Sequence, residues 1–241
     1  MRKIRSLLLS SVFLVGLTGV AHAGFADGNN YQFQVWTGSY STLGLSGTPA
    51  TASMATLSGL PQGSPTANFN YTGPIDFSVG ASETNSVSNF FGTNVGGISG
   101  YTSLSGLTES AFLASTLSSP YQNVDGSLDS DAFVTFMEIT GTYSAPAGTV
   151  VTISHDDGAS LYSGVSNTPL IASGGPTNEI PSSATLAAAS MTPFTLVYVE
   201  ANGAPSVLQI SETLPVPEPG SLAVLGTGLI GLVLIRRRRR A

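Results

Sequence analysis

All eight lysines and arginines of this 241-residue chain lie either in its first five residues or in the run Arg236, Arg237, Arg238, Arg239 and Arg240. Residues 24–218 contain none of them but hold all 14 aspartates and glutamates, a formal charge of −14 before termini. Cysteine is absent throughout. A fold made from this stretch has neither Lys or Arg ion pairs nor disulfides to draw on. It must be held by apolar packing and sheet hydrogen bonds, with metal ions or simple spacing limiting carboxylate repulsion. A surface of this sign suits neither nucleic acid nor anionic lipid.

The two basic ends read as addresses. Residues 1–23 have the three parts of a secretory signal: a positive region (Arg2, Lys3, Arg5), an apolar run from Leu7 to Val20, and an A-x-A cleavage site at Ala21-His22-Ala23. This predicts export through the Sec translocon, cutting by signal peptidase and a mature chain from Gly24. At the other end, residues 216–241 run from the proline-bracketed Pro217-Glu218-Pro219 through the apolar stretch 221–235 into the five arginines. Prolines on both sides of Glu218 keep that segment extended and accessible. The apolar stretch is short for a span of about 20 residues, but tilt and bilayer thinning extend its reach, and the arginines would stay on the cytoplasmic side. The order of motif, span and basic end resembles the PEP-CTERM sorting signal of Gram-negative bacteria. That resemblance implies transient anchoring in the inner membrane, cutting near the motif by an exosortase-type membrane protease, and release to the cell surface or extracellular matrix. An ordinary tail anchor is the alternative.

The passenger, residues 24–215, is long enough for one domain with a sizeable core. Its Gly, Ser, Thr and Pro content marks many turns between short strands. Alternation predicts strands over 31–36, within 68–79, over 132–143, 149–155, 159–162, 193–200 and 206–210, with the strand at 132–143 apolar on both faces and therefore central. Gly80–Ser105 reads as a surface loop carrying Phe90 and Phe91. Thr108–Leu117 breaks the pattern: Thr108 is a plausible cap, Phe112, Leu113 and Leu117 have helical spacing, and Pro120 is a stop. The expected fold is an all-β antiparallel sandwich with one short helix.

Two acidic stretches are candidate ion sites. Asp125-Gly126-Ser127-Leu128-Asp129-Ser130-Asp131 spaces carboxylates as calcium ligands can be spaced, but lacks the late glutamate of a helix-loop-helix site, which leaves a solvated turn as the competing reading. Asp156-Asp157-Gly158 places two adjacent carboxylates at a strand end, where they repel unless a cation or backbone N–H groups compensate them. Asn178 and Glu179 are the nearest further oxygen donors for calcium. His155 is the only histidine after the leader, but neighbours in a strand face opposite ways and no hydrolase motif accompanies it, so it is not read as catalytic.

The strings G-T-Y-S-A-P-A-G-T-V-V-T-I-S-H-D-D-G-A-S-L-Y-S-G (141–164) and P-F-T-L-V-Y-V-E-A-N-G-A-P-S-V-L-Q-I (193–210) resemble the PA14 β-sandwich. The likeness spans residues 30–212 and is carried by 133–210. It implies calcium held by Asp156 and Asp157, commonly across a cis peptide, with the ion contacting sugar hydroxyls; other members of that family are structural. Where relatives have an aspartate before the return-hairpin glycine, this chain has Ser163-Gly164. The expected function is calcium-dependent binding of exopolysaccharide by a non-enzymatic surface or matrix protein. A structural protein without a ligand is the alternative, and a glycoside-active enzyme a remote one.

Overall fold

The computed structural model describes residues 25, 30–45, 49–61, 65–123, 125–164, 166–187 and 190–215. The predicted leader and the sorting segment 216–241, with its span 221–235, lie outside the described residues. Among the described residues no helix is long and apolar enough to cross a membrane.

The described residues form eleven strands in chain order: β1 (Asn30–Ser39), β2 (Ala67–Thr72), β3 (Asp76–Val79), β4 (Ile98–Thr102), β5 (Phe133–Ala145), β6 (Val150–Asp156), β7 (Gly158–Ser163), β8 (Pro169–Ser173), β9 (Ile180–Thr185), β10 (Ser190–Glu200) and β11 (Ser206–Thr213). They form a seven-stranded sheet, β4-β2-β1-β5-β10-β7-β8, and a four-stranded sheet, β3-β11-β6-β9. The pairings are antiparallel throughout. The expected sandwich is thus present, and β5 lies in the middle of the larger sheet with most of its central residues buried on both faces.

Period-two alternation puts Phe33, Phe69, Tyr71, Met137, Ile139, Leu161, Leu196 and Tyr198 of the larger sheet against Phe77, Val151, Ile153, Leu208 and Ile210 of the smaller one. Rings dominate this layer: Phe33 stacks on Phe69 at 5.0 Å and Phe77 meets Phe91 at 4.6 Å. Each fully buried large side chain contributes roughly 1.5–3 kcal/mol, which is where a chain without disulfides finds its stability. A second apolar layer covers part of the outer face of the larger sheet. There Trp36, Phe136, Val197 and Val199 are roofed by Tyr40, Leu43, Leu57 and Leu60 from the segment after β1.

The predicted helix appears as α3 (Glu109–Leu113), with Thr108 Oγ1 accepting from Ala111 N–H at 3.3 Å. It ends at Ala114, well before Pro120. Two more single-turn helices occur, α1 (Met54–Gly59) and α2 (Val87–Phe91), capped by Ser53 and Ser86. The stretch 80–105 is therefore not a surface loop. Ser86 starts α2, which drops Val87, Phe90 and Phe91 into the core, and the glycine-rich run forms a 3-10 helix before edge strand β4. Strands β8 and β9 were also unexpected; short and half exposed, they leave little alternation to read.

Candidate functional site

Strand β6 belongs to the small sheet and β7 to the large one, so the chain changes sheet at Asp156-Asp157-Gly158. Gly158 is the residue this crossing requires, because a Cβ there would collide with the Gly174 carbonyl and come within 2.9 Å of Val199 Cγ1. The Asp156–Asp157 peptide bond is cis. Register then brings in the end of β10: Val199 pairs with Gly158, and the next residue, Glu200, shares the inward face of Leu196 and Tyr198. Asp156, Asp157 and Glu200 consequently present carboxylate oxygens within 4.8 Å of one another, all three side chains buried.

The three carboxylates are held differently. Glu200 is enclosed by protein partners: Ser118 Oγ donates to Oε1 at 2.8 Å, and Tyr198 Oη lies 3.0 Å from Oε2. The Tyr198 hydroxyl also donates to the Asp156 carbonyl at 2.5 Å, tying the crossing to β10. Asp157 Oδ2 accepts from Ala201 N–H at 2.8 Å, whereas Asp157 Oδ1 is buried and has no hydrogen-bond partner. Asp156 has the slight exposure of the set, 6% against 0% for the other two, so the cluster meets solvent on its side.

Burial dominates the electrostatics. It pushes Asp156 up to about 7, with the charges of Asp157 and Glu179 adding to the effect. It pushes Asp157 up to about 6, opposed by N–H groups of Ala201, Thr177 and Asn202. Glu200 is raised well above the usual carboxylate range by burial and the nearby Asp157. No Lys or Arg exists between residues 24 and 218 to offset these charges, so neutrality must come from protons or from a cation.

His155 faces inward beneath the crossing, fully buried. Its Nδ1 lies 2.7 Å from the Asp157 carbonyl and its Nε2 2.9 Å from Ser182 Oγ. A carbonyl only accepts, so Nδ1 carries the proton and Nε2 accepts from the serine. Burial lowers its pKa, which keeps the ring neutral. Both nitrogens are occupied in orienting the Asp157 backbone.

Asn178 and Glu179 sit exposed at the end of the 174–179 loop that leads into β9. The Glu179 charge is close enough to raise the Asp156 pKa, and its backbone partly offsets that rise. Neither residue joins the buried cluster. The carboxylate that does, Glu200, was not among the sequence-derived ligands, although continuing the inward series Phe194, Leu196, Tyr198 by two residues reaches it. The acidic turn at 125–131 is exposed and satisfied by itself: Asp125 Oδ1 accepts from Ser127 N–H at 2.9 Å and Ser127 Oγ at 2.6 Å, and Asp129 Oδ1 accepts from Asp131 N–H at 2.9 Å.

An all-oxygen donor set with an orphaned buried carboxylate oxygen fits a hard divalent cation. Beyond the crossing lies an open groove of about 680 Å³, lined by Leu45, Pro49, Thr51, Thr56 and Gly59 on one side and Pro176 on the other. The lining has no charged side chain.

The family profile described as the PEP-CTERM protein-sorting motif matches residues 215–240. No curated protein matches the sequence. Among solved structures, the chain is similar to the PA14 sugar-binding domain from an RTX adhesin, at 16% identity and a TM-score of 0.50, over 77% of this chain and 89% of that one. It is also similar to the PA14 domain of the MpAFP antifreeze protein, at 13% identity and a TM-score of 0.48, over 76% and 80% of the two chains. The first of these likenesses shows a PA14-like fold.

Proposed function

We propose that this chain is an exported surface protein of a Gram-negative bacterium whose sandwich binds a polysaccharide through calcium held by Asp156 and Asp157. The observation that carries the reading is the buried, unpartnered Oδ1 of Asp157 beside two further carboxylates in a domain without Lys or Arg. In this reading Asn178 and Glu179 add oxygens from the rim, and Glu200 backs the site from below. An uncharged groove of hydroxyl and apolar surface beside the site suits a neutral sugar. Support for export and sorting comes from the PEP-CTERM match, which implies an exosortase-type protease as partner. The ligand-binding reading is favoured over an enzyme because His155 has both nitrogens engaged inside the core.

The fold also orders the molecule along one axis. Pro215, the last described residue, lies beside Gly148 in the turn before β6, while the aspartates stand at the far end of β6. Seven residues of strand put about 20 Å between the two poles. A domain tethered through its tail would present the acidic pole outward.

A structural reading has its own observation. Asp157 Oδ2 accepts the Ala201 N–H, and the Glu179 backbone favours the charged form of Asp156, so the crossing is braced without an ion. Calorimetric titration of the purified protein with calcium, followed by retention on exopolysaccharide with and without chelator, separates the two. Stoichiometric calcium binding with chelator-sensitive retention is expected. Absence of calcium binding would leave the structural reading; calcium binding without sugar retention would make the ion a structural brace.

A further inference from the structure

The apolar layer on Trp36, Phe136, Val197 and Val199 covers only part of the larger sheet's outer face. The rest of that face is polar, and the sequence explains why. Between and beside the inward rings of β1 and β2 stand Gln32, Gln34, Asn68 and Asn70, and in β5 Glu138 and Thr140 flank the inward Ile139. The alternation that fills the core therefore lays amides and hydroxyls on the opposite side. Register sets them in two rows. Asn70 pairs with Gln32, Gln32 with Thr140, Thr140 with Thr195 and Thr195 with Tyr162; beside this row run Asn68, Gln34 and Glu138. Gln32 and Asn70 are exposed, and Gln34, Asn68, Glu138, Thr140 and Thr195 half-buried.

The polar atoms of this face are unspent. Asn68 Oδ1 is buried without a hydrogen-bond partner. It stands at a bulge, where the β2–β4 register shifts between Asn68 and Asn70 and Gly100, at φ +63°, lets Asn70 lie across β4: a Cβ there would come within 3.1 Å of Asn70 Nδ2. At the other end of the row the Tyr162 hydroxyl accepts from Met54 N–H at 3.2 Å, which leaves its own proton to donate. Tyr162 lines an open groove of about 490 Å³ with Ser53, Ser58 and Asn167.

Chemistry selects the occupant. A protein partner needs an apolar centre, which the two rows lack. A polyanion would meet Glu138 in a domain that has no Lys or Arg between residues 24 and 218. Side-chain amides and hydroxyls both donate and accept, as sugar hydroxyls do. Neighbouring strands stand about 4.8 Å apart, close to the length of one sugar ring in an extended chain, so Asn70 to Tyr162 spans about 19 Å, or about four sugar units.

We propose that the rows from Asn70 to Tyr162 form a second binding surface, for a strand of uncharged polysaccharide, that works without calcium. It is separate from the aspartates, because five residues of β7, about 16 Å, lie between Asp157 and Tyr162. It does not rest on the acidic cluster holding an ion.

Native affinity electrophoresis of the purified full-length protein in chelator, through gels containing hydroxyethylcellulose or dextran, reads this surface alone. At least one of these uncharged polymers should retard the wild type, and Asp157→Asn should be retarded equally. Alginate, a polyanion, should not retard either. Gln32→Ala combined with Asn70→Ala should weaken the retardation about tenfold or more, the loss of two ordinary hydrogen bonds, while moving the melting temperature by no more than about 2 °C. Should that variant not fold, Asn70→Ala alone should still weaken it several-fold. No retardation of the wild type by either polymer in chelator, undiminished retardation of the variants, or equal retardation by alginate would overturn the proposal. Retardation that appears only when calcium is added would also overturn it and leave sugar binding to the aspartates. So would a dimer in sedimentation velocity that the double variant abolishes, which would give the face to a second copy of the chain.

Discussion

Replacing Asp157 by Asn gives opposite results with and without calcium if the acidic cluster is an ion site. Without calcium, burial raises this carboxyl from 3.8 to about 6, so keeping it ionised at pH 7 costs about 3 kcal/mol at 1.36 kcal/mol per unit. The amide removes that cost and puts an NH2 where Oδ1 now lacks a partner, facing Asp156. It weakens the bond from Ala201 N–H by about 1 kcal/mol, since the acceptor loses its charge. The variant should therefore be about 2 kcal/mol more stable than wild type in chelator, a rise of about 4–8 °C in melting temperature. Calcium reverses the order. At 100 times its dissociation constant the ion adds about 2.7 kcal/mol to the wild type, and at 1,000 times about 4.1, but nothing to a variant that cannot bind it. The two melting curves should cross at about 30 times the dissociation constant, where the ion adds about 2 kcal/mol. Differential scanning calorimetry across a calcium series measures this directly. A variant that is less stable than wild type in chelator, or that gains as much from calcium as wild type, would refute the reasoning.

Other expectations follow from the same geometry. The folded-state pKa values of Asp156 and Asp157 are raised, so the stability they contribute is complete below about 3.8 and is lost as pH rises through about 6–7. Melting temperature in chelator should fall from pH 4 to pH 7, and calcium affinity should weaken below about pH 6 as protons compete; a flat stability profile would contradict both. Gly158→Ala forces β7 away from the Gly174 carbonyl and should cost about 1–3 kcal/mol, visible as a lower denaturant midpoint with or without calcium. Tyr198→Phe leaves the Asp156 carbonyl and one Glu200 oxygen without their hydroxyl partner, a loss of about 1–3 kcal/mol that chemical denaturation would register. Substituting Pro217, Glu218 and Pro219 by alanine should accumulate uncut, membrane-associated protein in the native host on immunoblots; normal release would dismiss the sorting motif.

Much of the sandwich was legible because its strands carry the period-two pattern along their own length. The inward series Val151, Ile153, His155 and Phe194, Leu196, Tyr198 can be read residue by residue, and Thr108 announces the helix that it caps. Phe90 and Phe91 were misread because a one-turn helix has too few residues to show periodicity, and glycines on its far side suggest a loop. The acidic pair was legible as a pair, since Asp156-Asp157-Gly158 is local. Its third member was not, because no local pattern says which strand lies beside β7.

From sequence alone came the carboxy-terminal sorting motif, the expectation of a leader, the absence of any Lys or Arg counterion in the passenger, the strand-rich architecture and two adjacent carboxylates at a strand end. These are properties of composition and short-range order. Three-dimensional packing decided the rest. Only the β10–β7 register places Glu200 beneath Asp157, only the change of sheet buries all three carboxylates together, and only the meeting of β11 with the amino-terminal end sets Glu212 on Phe25. Such convergences join residues up to 187 positions apart. They depend on how the sheets stack and which strands are neighbours, choices made by the collective burial of a core rather than by any segment of the chain.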